Sequence, residues 1–133
     1  MENENLDFSK TINHWISRSD QDYKTMLNLY TSKDFHWSLF IGHLVIERLL
    51  KAMVVKKTKS YAPFTHDLRR LAKLSELEFS DEFSRYLDTI TTFNLNARYD
   101  DYKMDFYKKC NAEFTAVWIN NIKTLREWIK SKL

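Results

Sequence analysis

The residues best equipped for chemistry in this 133-residue chain are a few basic side chains and a histidine, some of the former interleaved with aromatic residues. Arg98 and Tyr99 fall between two stretches of helical patterning, where a guanidinium either grips a phosphate through paired N–H donors or pairs with Asp100 or Asp101. Lys51 follows Glu47 at the spacing of an ion pair on one helix face, which accounts for it without a ligand, although its ammonium also suits an anion. His66 opens a helical stretch after Thr65, so its imidazole can reach a ligand or hydrogen-bond backbone to fix the loop before it. Tyr99, Tyr102 and Tyr107 are interleaved with Lys103, Lys108 and Lys109, a pattern that can stack on bases, while Tyr102 also belongs to an apolar stripe. Arg98, Tyr99, Lys51 and His66 are therefore the candidate ligand-binding residues, with no catalytic residue assigned.

Other chemistries are excluded by residue type. One cysteine, Cys110, cannot make a zinc ribbon or an internal disulfide, and its place on an apolar stripe reads as inert. A single glycine leaves no Gly-rich loop to cradle phosphates, and no His-x-x-x-His pair exists. Asp100 and Asp101 are adjacent, so both cannot face inward as a helical metal site requires. No metal and no cofactor is expected. His14, His36 and His43 lie on helical stretches among aromatics, with nothing in their spacing that unites them with a nucleophile.

Five helices are expected to position these residues. One Gly and one Pro are too few for the turns of a sheet protein, whereas 44% hydrophobic residues, with four Trp, seven Tyr and nine Phe, supply a core. Ile12, Trp15, Ile16, Ser19, Tyr23, Met26, Leu27 and Tyr30 form one stripe, predicting a helix from about Ser9 to Tyr30. Phe35 to Met53 is apolar over most of a helix circumference, which predicts a central helix, and Gly42 within it predicts the close approach of a neighbour. Thr65 is expected to cap a third helix and Ser80 a fourth that ends near Asn96. Tyr102, Phe106, Cys110, Phe114, Val117, Trp118, Ile122, Leu125 and Ile129 predict one long final helix. The fold class is all-α: an antiparallel bundle of about five helices, one domain over residues 1–133.

Charge is uneven although its net value is only +3, because residues 51–73 hold seven basic residues and one acid. That window is either a solvated basic loop or a phosphate-binding patch. His36, His43, Glu47, Arg48 and Lys51 interrupt the longest apolar stretch, so no bilayer span is expected. The polar, acidic start MENENLDFSK does not read as a signal peptide, and a cytoplasmic location is expected.

Three segments together carry a resemblance. They are His-Leu-Val-Ile-Glu-Arg-Leu-Leu-Lys-Ala from His43 to Ala52, Thr-His-Asp-Leu from Thr65 to Leu68, and Asn-Ala-Arg-Tyr-Asp from Asn96 to Asp100. In order and spacing the chain resembles a HEPN domain over nearly its whole length. The resemblance implies a helical bundle, commonly a homodimer, in a setting of nucleotides, RNA or a nucleotidyltransferase partner. Its ribonuclease branch carries an Arg followed after four to six residues by a His, which pairs a base for the ribose 2′-hydroxyl with a cation for the phosphate. After Arg98 those positions hold Lys103, Met104 and Asp105, and no other Arg is followed by a suitable His. The departure points to the non-catalytic branch with an Arg-Tyr signature, matched at Arg98 and Tyr99. Two alternatives stand beside it: a metal-independent ribonuclease toxin of a toxin–antitoxin pair, in which Arg98 works with Tyr102 or His66, and a structural adaptor without ligand. Trp37, Trp118 and Trp128 read as core or dimer anchors.

Overall fold

The structure, a computed structural model, describes residues 7–98 and 100–133, apart from the side chains of residues 100–103. Six helices follow in order: α1 (Ser9–Thr31), α2 (Phe35–Thr58), α3 (Leu68–Ser75), α4 (Asp81–Arg98), α5 (Asp100–Lys109) and α6 (Ala112–Lys132). The described residues contain no strand, and the all-α bundle expected from composition is what forms.

Because α2 is apolar nearly all round, it is satisfied only by enclosure, and it packs against each of the other five helices. Its pairing with α1 is drawn tight by two buried serines. Ser19 Oγ donates to the Val45 carbonyl at 2.7 Å, and Ser38 Oγ donates to the Met26 carbonyl at 2.8 Å. Both hydroxyls are wholly buried, so each bond also removes the cost of an unpartnered polar group. Elsewhere in the bundle α6 is tied to α1 by charge: Arg126 and Lys130 meet Asp20 at 3.1 and 2.8 Å, and the Arg126 guanidinium lies 3.8 Å from the centre of the Tyr23 ring.

Two expected boundaries are corrected. The cap of α3 is Asp67, whose carboxylate accepts from the amides of Arg69 and Arg70, whereas Thr65 accepts from the Asp67 amide in the loop before it. An anionic cap complements the helix dipole as well as the free amides, which favours Asp67 over the hydroxyl two residues earlier. The single long C-terminal helix is two, α5 and α6, which makes six helices where about five were expected. The chain breaks at Cys110–Asn111, and the Asn111 side chain caps α6 by accepting from the Phe114 amide at 2.8 Å. The apolar spacing carries across the break because Phe106 and Cys110 are both buried against the same core as Ile122, Leu125 and Ile129. Val117, placed on that stripe by periodicity, is exposed. The Ser80 cap of α4 holds, with its hydroxyl accepting from the Phe83 amide, and the helix continues two residues past Asn96 to Arg98.

Trp118 and Trp128 are partly buried and packed on the core, Trp118 against Phe93 and Trp128 against Phe83, while Trp37 is more exposed. None of the helices among the described residues is long and apolar enough to cross a membrane.

Gly42 meets the expectation of close approach. A Cβ there would lie 2.5 Å from Ile122 Cδ1 and 3.1 Å from Met26 Sδ, so the position is where α1, α2 and α6 converge. The Ile122 methyl can swing aside for one carbon, and Ala regains about 1 kcal/mol of helix propensity over Gly. Gly42→Ala is therefore expected to leave stability within about 1 kcal/mol, while Gly42→Leu loses about 1–3 kcal/mol or more by overpacking. Urea denaturation midpoints at constant slope check both.

Candidate functional site

The wall of α2 that faces α1 and the loop of residues 59–67 carries a buried polar series in a helix whose buried residues are otherwise mostly apolar. His43, Glu47 and Lys51 succeed one another at intervals of four, so helical geometry stacks them on one face. All three are buried. Lys51 Nζ donates to Glu47 Oε2 at 3.0 Å, as their spacing predicts, and the other carboxylate oxygen, Oε1, accepts from His66 Nδ1 at 2.7 Å. A single carboxylate thus holds a lysine of its own helix and a histidine of the following loop.

His43 completes the fastening. Its Nε2 lies 3.0 Å from the His66 carbonyl oxygen, which can only accept, so Nε2 carries the proton. Burial holds the imidazole pKa below its ordinary value, outweighing the attraction of Glu47, and the ring is neutral with a bare Nδ1. That nitrogen is buried, has no hydrogen-bond partner, and stands 3.7 Å from Glu47 Oε1. The loop is therefore held twice at one residue, through the His66 carbonyl and the His66 ring.

Beside this cluster lies an open cleft of about 540 Å³ between the first turns of α1 and the loop. Trp15, Tyr61 and Phe64 are among its lining residues, together with Lys10 and Lys51. Lys51 Nζ also lies 5.2 Å from the centre of the Trp15 ring, so the aliphatic stem crosses the wall and the charge ends beside an aromatic face. Tyr61 is braced edge-on by Phe8 at 5.4 Å between ring centres. None of the lining residues is acidic.

Of the four residues singled out from sequence, the structure brings Lys51 and His66 together through Glu47. Arg98 stands apart from them: it is exposed at the C-terminal end of α4, its Nη1 donates to Asn94 Oδ1 at 3.4 Å, and it does not line the cleft. Tyr99 lies outside the described residues. His66 does what its structural alternative required, fixing the loop, but it does so through Glu47 and its own carbonyl. His43, to which spacing assigned no role, is the residue that sequence reasoning missed, together with the second bond that Glu47 makes, to His66. The signal was present as a polar i, i+4, i+8 series in a helix otherwise read as buried all round.

The basic window divides by use. Lys56 and Lys57 occupy the last turn of α2, where cations complement the helix dipole, and Arg69 pairs across to Asp88 of α4 at 3.0 Å with both side chains more than half exposed. Of the window's basic residues, Lys51 is the one that lines the cleft. Cys110 is buried and its thiol is pushed up to about 12 by burial, which leaves it protonated. Among the described residues no three His, Cys, Asp or Glu side chains are grouped to hold a metal ion.

Comparison with known proteins adds a family. The model of the HEPN domain matches residues 12–132. In structure the chain is similar to TT1696 from Thermus thermophilus, with a TM-score of 0.76 at 12% identity over 92% of this chain and 98% of that one. At that identity the likeness is one of fold. No curated protein matches the chain in sequence.

Removing one partner of a buried ion pair leaves the other charged and dry. Glu47→Ala is expected to cost about 3–5 kcal/mol of folding stability, and adding Lys51→Met to that variant to recover part of the loss by replacing a stranded ammonium with hydrocarbon. A double-mutant cycle by urea denaturation measures the coupling, and strictly additive losses would show that the pair is not a unit.

Proposed function

We propose that this chain, which belongs to the HEPN domain family, is a non-catalytic binding module, a cytoplasmic homodimer that recognises a nucleotide or RNA or docks a nucleotidyltransferase partner. The observation that carries the reading is Arg98: an exposed guanidinium at a helix end, followed by Lys103, Met104 and Asp105 at the positions where a ribose-activating imidazole would stand. Without that base, the cation that would stabilise a phosphorane has only a phosphate to hold. Cations at Arg98, Lys10 and Lys51, and rings at Trp15 and Tyr61, suit phosphate contact and base stacking.

One feature favours a second reading, a ribonuclease with an altered site. The Glu47–His66 hydrogen bond is the orienting half of an acid–base pair, and a His so held can act as a base through its other nitrogen. Against it, the same histidine is used to fasten the loop, and Arg98 shares no hydrogen bond or ion pair with it among the described residues.

Thermal melting against short RNA oligomers and nucleotides, with light scattering for size, tests the proposal. A dimer is expected whose melting temperature rises by several degrees with at least one member of the panel, since a ligand at a hundred times its Kd adds about 2.7 kcal/mol. Arg98→Ala is expected to weaken RNA binding and to reduce its salt dependence by about one phosphate contact. Induced expression is expected to leave growth unchanged. Growth arrest relieved by His66→Ala or Arg98→Ala would establish the ribonuclease instead, and a dimer that ignores the whole panel would leave a protein partner as the function.

A further inference from the structure

We infer that the cleft between α1 and the 59–67 loop is a site for one nucleotide unit, with the base against Tyr61 and Phe64 and the phosphate on Lys10 and Lys51. The inference rests on the reading above that the module binds a nucleotide or RNA, and it names a place for that ligand away from Arg98.

The cleft's volume of about 540 Å³ lies within the range of small-ligand sites, roughly 300–1,000 Å³, and is enough for a single base with its sugar and phosphate. The lining chooses the class. Three residues with large rings, Trp15, Tyr61 and Phe64, line the space with two lysines and no acidic residue, which suits a flat apolar body with an anionic end. A cationic ligand could use the rings but would meet both lysines.

Exposure separates the two kinds of contact. Phe64 is fully exposed and Tyr61 is 74% exposed, although a large ring ordinarily gains by burial, and both sit on a loop that the His43–His66 and Glu47–His66 bonds hold in place. Rings held out on a fixed loop lose little freedom when a base stacks on them. The phosphate end is set by Lys51. Its ammonium has three donors, of which Glu47 takes one, and although the side chain is largely buried beside Trp15 it is among the cleft's lining. Lys10, one α1 turn from His14, supplies a second cation on a flexible stem.

The cleft would take such a unit either free or as one residue of a strand, and the test separates these sources. Binding of AMP, CMP, GMP and UMP, of an eight-residue RNA, and of decanoate as an anion with a flexible apolar tail is measured by calorimetry at low salt. The proteins are wild type, Tyr61→Ser, Phe64→Ser and Lys10→Gln, with folding checked by circular dichroism. Wild type is expected to bind at least one monophosphate or the oligomer, Tyr61→Ser and Phe64→Ser to weaken it by about 5- to 100-fold, the range of losing one stacked ring, and Lys10→Gln to weaken it less and mainly at low salt. Binding of the oligomer alone, lost in the ring variants, would place a strand in the cleft and still support the inference. Binding that survives all three cleft substitutions would overturn the inference while leaving the nucleotide or RNA reading intact. Decanoate bound in preference to every nucleotide would overturn the ligand class. No binding of any nucleotide or RNA would overturn both.

Discussion

A helix surrounded by five others cannot easily carry charge, and α2 carries a carboxylate and an ammonium in its buried face. That pair is the constraint on which the rest of the structure turns. In a drier setting two such ions cost more to desolvate than they return, so each must be saturated with partners. Glu47 is saturated by Lys51 and by His66, and the second of these reaches outside the helix for its bond. The polar face of α2 therefore dictates where the following loop lies. His43 reinforces this through the His66 carbonyl, and the loop in turn sets Tyr61 and Phe64 opposite the first turns of α1. What begins as the need to pair one buried carboxylate ends as the wall of a cleft.

The helices were legible because their apolar spacing is dense and their caps are local. Ser80 capping α4, the α1 stripe apart from Leu27, which is exposed, and the enclosing of α2 can be read from residues at most a few turns apart, as can the Glu47–Lys51 pair. The break at Asn111 was missed because Phe106, Cys110 and Phe114 keep a spacing of four through it, and periodicity alone does not see an interruption that preserves phase. Asn111-Ala112-Glu113 in fact repeats the logic of Ser80-Asp81-Glu82, a capping side chain followed by an acid in the first turn. The cleft was illegible for another reason. Lys10, Trp15, Lys51, Tyr61 and Phe64 come from three segments, and only the folding of α1 back along α2 places them together. His43 was given no role since a lone histidine among apolar neighbours is ordinarily core, and its partner is the carbonyl of another residue, which no side-chain pattern reveals.

Family and fold agree over nearly the whole chain, and they leave the chemistry to this chain's own residues. The structure distributes its polar resources unevenly: Arg98 stands exposed at one helix end with Asn94 as its hydrogen-bond partner, while a buried lysine and two histidines are gathered around Glu47. The guanidinium and the histidine cluster are thus two separate places on the molecule, with different chemistry open to each. The same distribution gives the loop of residues 59–67 a purpose beyond connection, since it is fixed at its C-terminal end by His66 and carries its most exposed rings a few residues earlier.

The most direct test is nitrogen-15 NMR of the His43 ring, which reports tautomer and protonation at the atoms that fasten the loop. A neutral ring is predicted, with its proton on Nε2, slow to exchange, and with no uptake of a second proton as the pH falls through the ordinary imidazole value of about 6.5. A ring protonated on Nδ1 or exchanging between tautomers would show that His43 does not hold the His66 carbonyl, leaving the Glu47–His66 bond as the loop's one fastening at that residue, and titration at the ordinary value would contradict a buried ring.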